Sequence, residues 1–333
     1  MPLVNSKAST KSCVGFVLPN PPNDVTRWQA AADAAKAVID LNRHTLLTLA
    51  QLPSLWDYNT SLVYNKEVIF ASTAVASNVL EVNNAPIGFG GLGRTNPTQD
   101  LVDAFEMTNG KPISDPASGY NPANPYLNRD PRLALFIVTN GSTFKVGTLA
   151  RAVETFEGGQ DNILTNPNST KTGYYMLKFL SESAGISPAV QRRRPWVFFR
   201  YAETLLNYAE ALNEAAGPNA EVLKSVNLVR VRGGLPALAT GLTQEQMRQR
   251  IRNERRVELC FEEHRFFDVR RWKIGETVFN APVRGMRIVR TGTTFNYTPF
   301  VVENRVFTAA NYFYPIAQTE LNKAPALEQN LGY

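Results

Sequence analysis

The densest chemistry in this chain lies at residues 252–272, where arginine and carboxylate alternate around Val257, Leu259, Cys260, Phe266, Val269 and Trp272. Glu254, Glu258 and Glu262 stand four apart, so a helix carries them on one face. Carboxylates placed this way serve as an acid/base pair or as ligands of a metal pair. The metal reading needs histidine at matching spacing, and position 261 is Phe, so no Glu-x-x-His is formed. The competing reading is architectural. The apolar residues between the charges call for burial, and charges buried with them have to pair. Arg250 and Arg255 lie on the same helix, and Arg270 follows closely. The ion-pair reading is favoured, with Arg230, Arg232, Glu254, Glu258, Arg265, Asp268 and Arg271 as its members.

Other reactive constellations are sparse. His44 and His264 are the only histidines, and neither sits in a recognisable context with Ser or Cys. There is no phosphate-binding Gly-Lys-Ser/Thr and no zinc-type cysteine spacing, so neither metal nor cofactor is expected. Gly88, Gly90 and Gly93 match G-x-G-x-x-G. A dinucleotide cradle needs a strand before it and a long helix after it. Here Asn83-Asn84-Ala85-Pro86 precedes, and the next helix starts only at Pro97, which favours a ligand-lining loop. Arg248, Arg250, Arg252, Arg255 and Arg256 wrap around their helix and are interrupted by Glu, so no nucleic-acid partner is expected. Aromatic residues also recur among Asn, Gly and Pro, notably Trp56, Tyr58, Phe89, Tyr120 and Tyr126. A flat ring beside amide and charged donors suits sugar recognition. Ordinary packing under a loop is the competing use of each ring.

The elements that must hold these residues follow from periodicity and punctuation. Residues 1–23 read as irregular and end in the proline-rich run 18–23. Asn23 or Asp24 opens a helix running to about Leu41, with Trp28, Ala31, Ala35, Val38 and Ile39 as its buried stripe. Residues 51–195 form a loop-rich lobe of short apolar runs separated by Asn, Pro, Gly and Ser. Within it, Asn96 caps a helix over 100–108 that Asn109-Gly110 ends. Residues 196–273 are helical. Tyr201, Leu205, Tyr208 and Leu212 make one stripe, and Glu203, Asn207, Glu210 and Glu214 another. Gly217-Pro218-Asn219 breaks the chain, and a second helix carries Val222, Val226 and Val229 to Gly233-Gly234. The pair has the size of a tetratricopeptide unit of ~34 residues. Thr243 and Gln246 form a capping box for a third helix, with Leu242 and Met247 as its staple. A short helix is expected over 266–273. Residues 274–333 read as irregular, with strand-like runs at 287–290 and 300–307.

Bulk properties bound the rest. The chain has 333 residues, 44% hydrophobic and 10% aromatic, which is enough for a packed core in one large domain or two. Its net charge is +6 and its pI near 9.3. No apolar run approaches the ~18–20 residues of a membrane span. Cys13 follows no apolar leader core, and Cys260 lies within an apolar stretch, so a buried free thiol is expected there.

Residues 200–214, 226–236 and 254–272 resemble, in order and spacing, the SusD/RagB family. So do 97–113, 124–133 and 311–333, and residues 27–41 fit its tetratricopeptide-like helices. The likeness runs over about 24–333. It implies a mainly α fold of tetratricopeptide-like helical hairpins with a loop-rich lobe containing short strands. It further implies a non-catalytic, glycan-binding (sometimes peptide-binding) lipoprotein at the cell surface of Bacteroidota. Such a protein sits on the outer membrane and caps a SusC-like TonB-dependent transporter. Membrane attachment is then expected only through a lipid anchor absent from this chain. On that reading Trp56, Tyr58, Phe89, Tyr120 and Tyr126 stack on sugar faces and Arg94 donates to hydroxyls. The competing functions are a glycoside hydrolase, which would hold paired carboxylates ~5–9.5 Å apart across an open cleft, and a peptide-binding helical-repeat scaffold.

Overall fold

The computed structural model describes residues 24–56, 65–73, 76–181, 185–186 and 191–333. Along the chain, helix α1 (Val25–Asp40) leads to strand β1 (Val68–Thr73) and the short helices α2 (Val79–Asn84), α3 (Gln99–Ala104) and α4 (Arg132–Phe136). Strands β2 (Ile137–Val138), β3 (Thr143–Val146), β4 (Leu149–Ala152), β5 (Tyr175–Met176) and β6 (Pro195–Arg200) follow. The helical block is α5 (Tyr201–Ala216), α6 (Ala220–Arg232), α7 (Gln244–Glu258), α8 (His264–Arg271) and α9 (Gly275–Phe279). Strands β7 (Val283–Thr291) and β8 (Thr294–Glu303) and the short helix α10 (Gln318–Lys323) close it. The molecule is mostly helical, with few short strands.

The helical block forms where periodicity places it. Leu205, Leu206, Val222, Val226, Met247 and Ile251 interlock as the common core of α5, α6 and α7. Asn219 caps α6 by accepting from Glu221 and Val222 backbone N–H groups. Thr243 and Gln246 reciprocate as a capping box at the start of α7. Helix α1 lies on α5 through Ala32, which meets Tyr208 and Ala211. Trp28, Ala35 and Ile39 of the expected stripe pack against this contact. Ala32 is sealed and Ala31 exposed, because the small Ala32 and Ala211 allow the helices to approach.

Among the described residues the sheets are antiparallel pairs: β1 with β6, β2 with β5, β3 with β4, and β7 with β8. Strand β6 runs straight into α5. The hairpin β7–β8 contains the strand-like run expected at 287–290 and the first part of that expected at 300–307, and it turns at Gly292, whose φ is +62°. One core joins lobe, helices and hairpin, drawing Leu52 and Phe105 from the lobe, Val257 from α7 and Ile288 from β7. Helix α3 is capped two residues later than expected and ends earlier, at Ala104. Thr98 caps it by accepting from the Leu101 N–H at 3.2 Å. Asn96 is occupied elsewhere, donating to the Gly93 carbonyl and accepting from the Lys171 N–H, both at 2.6 Å. Among the described residues no helix is long and apolar enough to cross a membrane.

Candidate functional site

The carboxylates on α7 are consumed by arginine. Glu254 and Glu258 are 2% and 0% exposed. Glu258 meets Arg132 at 2.9 Å and Arg200 at 2.7 Å, and also Arg232. Glu254 meets Arg132 at 2.5 Å and Arg230 at 3.4 Å. Glu262, past the end of the helix, bonds Arg200 and Lys178. Burial alone would raise the Glu258 carboxyl, but the Arg232, Arg200 and Arg132 charges outweigh it and hold it well below the usual carboxylate range. An acid/base pair needs an open cleft and a carboxyl free to exchange its proton. These have neither, so the hydrolase built on them falls. The second stripe of α5 is also absorbed. Glu210 bonds Arg271 and the Trp272 indole N–H, both at 2.6 Å, while Asn207 takes Arg255 and Glu214 takes Arg248. Asp268 holds Arg255 and Arg271.

Arg265 departs from the expected cluster. Among the described residues it makes no ion pair, and its neighbour Arg256 makes none either. The carboxylates nearby are already taken by Arg132, Arg200, Arg230, Arg255 and Arg271.

The residues expected to touch sugar do not converge. Trp56 is 5% exposed, set edge-on to Phe136 and Phe179 with the Lys178 ammonium 4.7 Å from its ring centre. It belongs to the floor of an apolar cleft of about 230 Å³ beside Phe179, Trp196 and Phe267, and offers no open stacking face. Phe89 is likewise buried, edge-on to Phe144 and covered by the Arg151 guanidinium at 4.2 Å. Tyr126 bonds the Tyr174 hydroxyl at 3.2 Å, and burial pushes its own hydroxyl well above the usual range. Tyr120 is half-buried, with Arg129 5.5 Å from its ring centre. Tyr58 lies outside the described residues. Of the five that are described, Arg94 alone stands exposed beside an open groove.

The glycine motif is a packing device. A Cβ on Gly91 would stand 2.2 Å from the Ala85 carbonyl oxygen, and one on Gly93 would stand 2.6 Å from the Tyr175 ring. These contacts fold residues 85–93 tightly and deliver Arg94 to the surface.

That surface is a groove in two connected parts, about 450 and 460 Å³, which share Asn96, Thr98, Val283 and Arg305. The first part lies between loops 92–98 and 167–172 and carries Arg94, Asn168, Lys171 and Thr172. The second runs along the ends of α7 and α8 and carries Arg256, Phe261 and Arg265, with Phe279 opposite. The Asn96 amide ties the two loops together, and Thr172 accepts from the Met286 N–H of β7 at 2.8 Å, so the walls are fixed by backbone bonds. Cys260 also lines the groove, and burial pushes its thiol up to about 12, which leaves it protonated and inert. Apolar ring edges beside amide, hydroxyl and guanidinium groups form a surface suited to a polyhydroxylated ligand. Sequence reading missed Asn168, Lys171 and Thr172 because they meet Arg94 only across the fold. The available signal was the turn-rich Asn166-Pro167-Asn168.

The model of the SusD family matches residues 57–333. SusD-like protein P2 of Formosa agariphila is 31% identical over 195 residues, covering 54% of this chain and 37% of its own length. SusD-like protein P25 of the same organism is 27% identical over 265 residues, covering 74% and 46%. A SusD-like protein of Bacteroides fragilis is 32% identical with a TM-score of 0.79, covering 94% of this chain and 63% of that one. A second protein of that organism, described as a SusD-like carbohydrate-binding protein, is 27% identical with a TM-score of 0.76, covering 91% and 61%. The chain thus spans less than half the length of these two curated relatives, and less than two thirds of these two solved ones.

Proposed function

Since this chain belongs to the SusD family, we propose that it is a non-catalytic glycan-binding subunit of an outer-membrane nutrient-uptake complex, held at the cell surface beside a TonB-dependent, SusC-like transporter. The observation that carries the binding half is the fixed groove between loops 92–98 and 167–172, where Arg94, Asn168, Lys171 and Thr172 face one space. Neutral sugars present hydroxyls that such donors and acceptors satisfy, and the ring edges of Phe261 and Phe279 complete the second part of the groove. The likeness to a carbohydrate-binding protein of Bacteroides fragilis supports the same ligand class. The transporter partnership and the surface location rest on family membership.

In this reading Arg94 is the sequence-selected residue that contacts ligand, joined by Asn168 and Lys171. The test is a glycan-panel binding assay by affinity electrophoresis and calorimetry on the unaltered chain and on Arg94→Ala and Asn168→Ala. Loss of a charge-assisted hydrogen bond weakens binding by roughly tenfold. Retention of no glycan by a folded chain, or unchanged affinity in both variants, would sink the assignment. Co-purification of a TonB-dependent transporter from the native outer membrane tests the partnership.

A further inference from the structure

Five cationic side chains line the groove, Arg94, Lys171, Arg256, Arg265 and Arg305, against two carboxylates, Asp100 and Glu303. Both carboxylates are already engaged, Asp100 by Arg284 and Glu303 by Arg305, each at 2.5 Å. Arg256 and Arg265 are different. Both are largely covered by neighbouring elements, and among the described residues neither makes an ion pair or a side-chain hydrogen bond. Neither has a nitrogen sealed from solvent without a partner. Burial lowers Arg265 to about 10, and the adjacent Arg256 charge adds to the shift; burial also lowers Arg256. Both remain charged at neutral pH.

Two adjacent, partly covered guanidinium groups without a direct ion pair, with Asp100 and Asp103 acting on Arg256 and Asp268 on Arg265 only from beyond pairing distance, are costly to hold. Elsewhere in this molecule the price is met by carboxylates: Arg132, Arg200 and Arg230 are each paired. Here the guanidinium donors, open to solvent, line a cavity of about 460 Å³ instead. Planar guanidinium forks match a planar or tetrahedral oxyanion, bonding it bidentately.

We propose that the ligand of this groove is an anionic saccharide whose carboxylate or sulfate ester seats against Arg256 and Arg265, while Arg94 and Lys171 extend the same field along the sugar chain. This rests on the glycan-binding reading and adds the charge of the glycan to it. Removing either arginine leaves no carboxylate stranded, so Arg256→Gln and Arg265→Gln are expected to fold with unfolding midpoints close to that of the unaltered chain.

The experiment titrates the chain with an oligogalacturonate, a sulfated galacto-oligosaccharide and a neutral oligosaccharide of the same length. At low salt, at least one acidic ligand should bind roughly tenfold more tightly than the neutral one. That preference should shrink at high salt and approach unity in either variant. The tighter of the two acidic arms identifies the oxyanion, uronate or sulfate. Equal affinity for acidic and neutral ligands, or a preference that survives both substitutions, overturns the inference while the glycan reading stands. Failure of every saccharide to bind removes both.

Discussion

At the residue scale, Glu258 decides whether residues 252–272 are chemistry or architecture. It is fully buried among three guanidinium groups. Glu258→Gln leaves those charges short of a counter-ion inside the protein, and a broken buried network costs about 3–5 kcal/mol. Urea denaturation measures this, and an unchanged midpoint would refute it. The pH dependence has a definite sign. Burial opposes, but arginine prevails, so Glu258 and Glu262 have folded values below the unfolded carboxylate value of about 4.3. Their stabilisation is complete above that value and is lost as pH falls below it toward the lower folded values. Glu106 runs the other way, since burial raises it despite Arg230 and Arg250, and it favours the folded state at low pH. The loss of stability between about pH 5 and pH 3 should therefore be shallower in Glu258→Gln than in the unaltered chain.

At the scale of the element, α7 carries both faces of the argument. Its inward face supplies Met247, Ile251 and Val257 to two cores, and its charged face supplies Glu254 and Glu258. Everything it positions depends on where it starts, and Thr243 sets that by accepting from the Gln246 N–H. Thr243→Ala should cost about 1 kcal/mol in thermal unfolding, with no change in a glycan affinity set at the far end of the helix. This element was legible in the sequence, because capping boxes and apolar periodicity act over three or four residues. The same was true of α5 and α6. Helix α3 was less legible, since Asn96 looked like its cap until loop 167–172 claimed that amide.

On the scale of the whole molecule, lobe, helices and hairpin are joined by one core that brings Leu52 and Trp56 against Phe136, Val257 and Ile288. Trp56 is thus a keystone of that core. Trp56→Ala should lower stability by about 3–5 kcal/mol. Because the core is shared, fluorescence and circular dichroism should report one coincident transition; separate transitions for lobe and helical block would contradict a shared core. The aromatic residues of the loop-rich lobe were legible as ordered, but their destination was not. A ring in an Asn/Gly/Pro-rich loop carries the same sequence signature whether it faces a sugar or plugs a core, and Trp56 and Phe89 went to the core.

The sequence by itself determined the family, the helix boundaries within 200–258 and the need for buried arginine and carboxylate to pair. The family was legible through the resemblance of residues 200–214, 226–236 and 254–272 to it, the helix boundaries through local spacing, and the pairing through the cost of burying unpaired charge. Only the tertiary structure decided the partners. Arg132 reaches Glu254 and Glu258 across 122 and 126 positions, and Arg200 reaches Glu67 across 133. Residues 252–272 hold six arginines and five carboxylates, yet their pairing draws from outside on Glu210 for Arg271 and on Arg132, Arg200, Arg230 and Arg232 for Glu254 and Glu258. Because those long-range pairs take the carboxylates first, Arg256 and Arg265 are left over to line the groove.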